Sequence, residues 1–298
     1  MALVTETGTS RGTGGARQEQ AAGKGSGRQT PNVLGGLGGW VWLVLIILPV
    51  YYVVITSLKN QSGFFGSNPL APPTDPTLAN YRTVLEADFV QYFVNSVIVT
   101  LGSVIPAVAV SFMAAYAVVR GRGRIIASAH TLFLLGLAIP LQATIIPIYF
   151  MITRASLYDT LLALILPSIA FAIPISVLIL SNFLRDVPRE LFESMRLDGC
   201  SEFTMMWRLA LPLVRPAVVT IAIYNALNVW NGFLFPLILT QSPDKRVLPL
   251  SLWAFQDEFT VNIPAVLAAV VLSTLPLVVL YALARRQLVS GLTAGFNK

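Results

Sequence analysis

The chain has 298 residues, 55 % of them hydrophobic and 11 % charged, against roughly 25 % charged in ordinary soluble proteins. That balance, with a mean hydropathy of +0.71, excludes a water-soluble globule, which could not cover itself in polar surface, and excludes global disorder, which needs charge and few apolar residues. A net charge of +6 would suit a nucleic-acid binder, but the placement of the charges along the chain removes that reading.

Residues 1–39 are rich in Gly, Ser, Thr and Arg without apolar periodicity, and read as a flexible cytoplasmic tail. The first apolar run starts near Trp40, too long and too far from the N-terminus for a secretory signal. From there six windows contain no Asp, Glu, Lys or Arg: Trp40–Ser57, Phe93–Val119, Thr131–Thr153, Thr160–Leu184, Pro216–Thr240 and Val261–Leu283. Each reaches or nearly reaches the roughly 20 residues that a helix needs to cross a bilayer. Barrel strands are shorter and alternate in polarity. The expected fold class is therefore all-α: a polytopic membrane protein with six transmembrane helices, its membrane domain covering 40–284 and a C-terminal tail 285–298.

With the N-terminus inside, only five basic residues face outward, Lys59, Arg82, Arg154, Lys245 and Arg246, and the other fifteen face inward. The positive-inside rule then places both termini in the cytoplasm. The basic balance reflects topology, and no nucleic-acid partner is expected. The outer stretch Lys59–Asp88, with four prolines, reads as an ordered loop. In the outer segment 241–260, Trp253 and Phe255 read as interfacial anchors, with contact to a partner as the alternative.

Inner loop Arg185–Arg215 has a helical grammar: Asp186 to cap, Pro188 in the first turn, Gly199 for a left-handed end. Leu191, Phe192 and Met195 fall on one face and Arg189, Glu190, Glu193 and Arg196 on the other. Ser201 offers a second cap, for a short helix through Phe203 and Trp207 that Pro212 should stop. The pattern fits a rigid docking protrusion or a pair of helices lying on lipid headgroups.

The spans hold neutral hydrogen-bonding groups. Tyr224, Asn225, Asn228 and Asn231 recur at helical spacing in the fifth; they fit a translocation path for a hydroxylated solute or bonds to a neighbouring helix. Gln142, Thr144 and Ser168 are weaker candidates. Span cores without ionisable residues disfavour ion coupling, and hence a secondary transporter. Prolines 106, 140, 147, 167, 174 and 276 suit helices that bend. His130 is the single histidine and Cys200 the single cysteine; neither has neighbours at metal-ligand spacing, and no catalytic constellation is evident. No GxxxxGK[ST] loop occurs, so ATP hydrolysis is not expected of this chain.

The run Glu193-Ser194-Met195, three residues, Gly199, nine residues, then Leu209-Ala210-Leu211-Pro212 resembles the "EAA" loop of binding-protein-dependent ABC importer permeases. Ser194 and Met195 replace the alanines, and Leu209 the isoleucine. Asn95-Ser96, Ala114-Ala115-Tyr116-Ala117, Trp230-Asn231 and Gly291-Leu292-Thr293-Ala294-Gly295 are similar to the sugar-importer, MalG-like branch.

The resemblance implies a type I permease subunit, not an enzyme, in the bacterial plasma membrane. A second, MalF-like permease, two ATP-binding subunits carrying ATP and Mg, an extracytoplasmic sugar-binding protein and membrane lipids would be its partners, with no cofactor on this chain. It implies ATPase coupling through Glu193, Asp198, Gly199, Leu211 and Pro212, and a C-terminal ATPase contact at Gly291, Thr293 and Gly295. A di- or oligosaccharide or polyol derivative is the expected cargo, with another solute as the alternative.

Overall fold

The computed structural model describes residues 33–66, 68–252 and 262–294, with backbone alone for 33–34 and 283–294. Thus Trp253, Phe255, Gly295 and most of the N-terminal tail lie outside the described residues. The described residues form helices and no strand. Five helices are long and apolar enough to cross a membrane, or six if one bent pair counts as a span.

Helix α1 (Val33–Ser57) opens the series, so helical backbone begins before Trp40. A short α2 (Gln61–Gly66) and α3 (Ala79–Glu86) follow. Asn80 of α3 donates from Nδ2 to the carbonyls of Ser57 and Lys59, both at 2.8 Å, satisfying acceptors left open where α1 ends.

Helix α4 (Phe89–Arg120) and helix α7 (Leu161–Arg185) are the central pair. Hydrophobic burial drives little between helices in lipid, so small residues and polar contacts hold such pairs. Here Ser103 Oγ reaches the Ile165 carbonyl at 3.4 Å and Ser111 Oγ the Ile173 carbonyl at 3.5 Å. The equal sequence offset of 62 shows that α4 and α7 run parallel and in register. Gly102 lets them approach: a Cβ there would lie 2.9 Å from Ile165 Cδ1.

The third window is not one straight crossing. Helix α5 (Arg124–Leu137) stops, and a 3-10 turn (Leu141–Thr144) leads into α6 (Ile145–Arg154), bent by 98° from α5. Pro140 sits at the break; it has no N–H and drives Ile139 away from helical backbone.

After α7 come α8 (Arg189–Leu197) and α9 (Glu202–Met205). A π turn, Met206–Ala210, then joins α9 to α10 (Leu211–Trp230). The Leu211 N–H bonds the Met206 carbonyl, five residues back. Pro212 therefore does not stop the helix as expected; it follows directly on the π turn, and helical backbone continues through it from α9 into α10. The fifth span is correspondingly displaced from its window. It covers Glu202–Trp230 and breaks at residues 231–233 before the short α11 (Leu234–Leu239). A 3-10 turn (Pro243–Lys245), α12 (Leu248–Ser251) and α13 (Ile263–Ala294) complete the order. Helical backbone thus continues through 285–294, most of the expected C-terminal tail.

Candidate functional site

The Arg185–Arg215 loop is a helical protrusion. Pro188, extended at φ −56° and ψ 135°, precedes α8, and Asp186 stands where α7 closes. At the far end Gly199 adopts φ +79°, left-handed backbone that favours glycine. Its N–H bonds the Arg196 carbonyl and the Cys200 N–H the Met195 carbonyl, both at 3.0 Å, the paired bonds that end a helix on a left-handed residue. Ser201 caps α9 by accepting from the Thr204 N–H at 3.3 Å.

Phe192 is buried and Met195 half-buried against a core shared by α4, α7 and α10. Leu191, expected beside them, stays 39 % exposed, one residue's rotation outside that face. Glu193 and Asp198 are exposed. Leu197 is 89 % and Phe203 68 % exposed, apolar groups projecting on either side of the Gly199 turn. Arg196 pairs with Glu202 across that turn. The Tyr116 hydroxyl donates to the other Glu202 oxygen at 2.8 Å, and the Arg120 guanidinium lies 4.2 Å from the Phe192 ring centre.

A second feature is a cavity of about 300 Å³ between α7, α10 and α11. Tyr224, Asn225, Asn228 and Ser168 supply its polar groups, and Phe171 and Phe235, 5.8 Å apart between ring centres, line it with aromatic surface. Asn225 is buried and donates to Ser176 Oγ at 2.8 Å, tying α10 to α7. Asn228 is exposed and donates to the Tyr224 carbonyl of its own helix at 2.8 Å.

Residues 96–293 match the family described as "Binding-protein-dependent transport system inner membrane component". The chain belongs to this family. The permease is 40 % identical over 258 residues to a putative ABC transporter permease protein, ORF2, of Caldicellulosiruptor, covering 87 % of this chain and 94 % of that one. It is 32 % identical over 273 residues to the diacetylchitobiose uptake system permease protein DasC of Streptomyces coelicolor, covering 91 % and 98 %. Its fold matches a bacterial ABC transporter involved in alginate import, with a TM-score of 0.75 at 19 % identity, covering 85 % of this chain and 95 % of that chain.

In the permease, Glu193, Asp198 and Gly199 are exposed, Glu193 midway along α8 and the other two in the turn that ends it, on one protrusion. Leu211 is instead packed at its base against the core, and Pro212 is exposed beside it. Gly291 and Thr293 lie in the helical backbone of α13. Tyr224, Asn225 and Asn228 meet at the cavity; Asn231 is not among its lining residues and closes α10, its Nδ2 donating to the Leu227 carbonyl at 2.8 Å. Sequence reasoning missed Phe171, Phe235 and Glu202. The two phenylalanines look like ordinary span residues. Glu202 stands three residues after Gly199, a spacing that marks the next helix's first turn but not its partner in α4.

Proposed function

We infer that the chain is the membrane permease subunit of an ATP-driven sugar importer, forming half of its translocation path. The observation that carries this reading is the Gly199-turned protrusion. It is rooted in the core by Phe192 and presents exposed Glu193, Leu197 and Phe203, which suits insertion into a cleft of a separate ATP-binding subunit. That subunit, in two copies with ATP and Mg, would hydrolyse the nucleotide. Glu193, Asp198 and Gly199 form the contact, Leu211 and Pro212 set the base of the lever, and Gly291, Thr293 and Gly295 reach the same ATPase surface. Both termini are assigned to the cytoplasm by the inward bias of Lys and Arg.

Tyr224 and Asn228, exposed in the charge-free part of the span after Arg215, are assigned to the path, with Asn231 at its edge; Asn225 also fastens the path wall to α7. Polar groups on a lipid-facing surface are unfavourable, so this face supports a place opposite a second, MalF-like permease. Amides beside aromatic rings suit a pyranose, whose hydroxyls bond while its C–H faces stack. Sugar cargo is further supported by the names of relatives that take up diacetylchitobiose or starch degradation products. An extracytoplasmic binding protein would deliver it.

The test is purification through a tag on this chain. Gly199→Val and Glu193→Lys should leave membrane insertion intact and abolish co-purification of the ATPase; retention with normal coupled uptake in both variants sinks the docking assignment. Reconstituted with candidate binding proteins, the parent complex should raise its ATP hydrolysis only with a sugar-loaded one.

A further inference from the structure

Helix α4 is fastened at both ends to loops on opposite faces of the permease. At its N-terminal end Asn95, 2 % exposed, donates both Nδ2 hydrogens to the 241–252 loop, to the carbonyls of Asp244 at 2.9 Å and Arg246 at 2.8 Å. Gln91 Nε2 steadies that amide by donating to its Oδ1 at 3.1 Å. Ser96 Oγ next to it accepts from the Leu248 N–H at 2.9 Å.

At its C-terminal end Tyr116 bonds Glu202, which holds Arg196 across the Gly199 turn, and Arg120 covers Phe192. The two fastenings are 21 residues apart in one helix, about 32 Å along its axis and close to the hydrocarbon thickness of a bilayer. Between them α4 contains Pro106, but Gly102 and Ser103 before it and Ser111 after it hold α4 onto α7, so the two helices move as a pair.

We propose that α4 is a strut that conveys displacement of the docked α8–α9 protrusion to the outer 241–252 loop, with Tyr116, Glu202 and Asn95 as its positioning residues. This rests on the protrusion being the ATPase dock and adds the route by which its movement reaches the opposite face. The route needs no charge or ligand inside the membrane. A helix held laterally along its length passes on an axial or tilting movement only where its ends are bound, and both ends here are bound by hydrogen bonds, the inner to α9 and the outer to the 241–252 loop. Asn95 and Glu202 therefore act through other residues and touch no cargo.

The experiment uses the complex purified through a tag on this chain, with Cys200→Ala and Asp244→Cys, the latter at an exposed loop position. A membrane-impermeant maleimide is added with and without ATP plus orthovanadate. Trapping should change the labelling rate at position 244 by about fivefold or more, the scale of ordinary coupling between sites. Tyr116→Phe, Glu202→Gln and Asn95→Ala should each bring that ratio towards one while the ATPase still co-purifies, and in Tyr116→Phe and Glu202→Gln, which lie far from the label, the labelling rate without nucleotide should stay unmoved.

No nucleotide-dependent change in the parent, or a change that survives the variants at either end, overturns the strut. Gly199→Val and Glu193→Lys complexes that both still hold their ATPase with normal coupled uptake overturn instead the docking assignment beneath it. ATPase lost with Gly199→Val but α4 variants behaving as the parent leaves that assignment standing and removes the strut alone.

Discussion

Asp159, in the turn between α6 and α7, shows how much one side chain can organise. Its backbone is left-handed at φ 59°, a conformation that Asp tolerates better than most residues. Its Oδ1 accepts from the Gln241 and Ser242 N–H groups at 2.8 and 3.0 Å, and its Oδ2 from the Ser242 hydroxyl. The Ser242 hydroxyl first, then the two backbone amides and Lys245, hold the carboxyl below its ordinary value against the opposing effect of burial. A lowered folded-state value means that the clasp stabilises the loop at all pH values above the ordinary range and loses that contribution as pH falls through the lowered value. Hydrogen exchange at the Gln241 and Ser242 amides should therefore be slow and, once corrected for intrinsic rates, flat near neutrality, and speed up only in strong acid. Asp159→Ala should show the fast rate at every pH, and equal protection in both proteins would contradict the assignment. Neither this clasp nor that of Asn95 was legible in the sequence, because their partners stand 82 to 151 residues away. The amide stripe of α10 was legible as a stripe. Its division into a buried helix tie at Asn225 and an exposed group at Asn228 depends on which neighbour covers each, and periodicity does not carry that.

Among the elements, α8 was the most readable. Amphipathic spacing, a proline ahead of it and a glycine beyond it agree, and the Gly199 geometry follows. Nothing lies within 4 Å of a Cβ built on Gly199, so replacing it strains backbone conformation without a clash. Gly199→Ala should cost roughly 1 kcal/mol, seen as about fivefold faster exchange in the last turn of α8 with the rest of the permease unchanged. Gly102 presents the opposite case. It is an ordinary helical residue whose missing Cβ lets α4 meet α7, and the atom in the way is the movable end of Ile165. Gly102→Ala should be tolerated by a rotamer change, whereas Gly102→Leu should force the pair apart and lower the melting temperature of the purified permease by several degrees. Equal melting temperatures would refute that seam. What the sequence misplaced were interruptions. Pro212 looked like a stop because a π turn ahead of it is invisible to composition, and the third window looked like one span because charge-free length does not report a 98° bend at Pro140.

At the scale of the whole molecule, sparse charge placed the chain in a membrane, and the remaining polarity constrains what must cover it. Tyr224, 49 % exposed, and exposed Asn228 lie on a span whose other exposed groups are largely apolar. Lipid offers an exposed amide no hydrogen-bond partner, and among the described residues Asn228 makes one bond, to its own helix; a groove filled by water, cargo or a second permease offers several. The same side chain should therefore have opposite effects in two settings. In the permease expressed without its partner subunits, Asn228→Leu should raise the yield of monodisperse protein and its melting temperature, by the equivalent of about 0.5–2 kcal/mol. In the assembled importer it should slow sugar uptake while basal ATP hydrolysis persists, because a leucine on the path presents no group to sugar hydroxyls. Size-exclusion profiles of the lone chain and uptake by the reconstituted complex measure the two signs. Stabilisation of the lone chain with unchanged uptake would make this face a subunit seam and not the path, and destabilisation of the lone chain would show that the amide is satisfied within the permease itself.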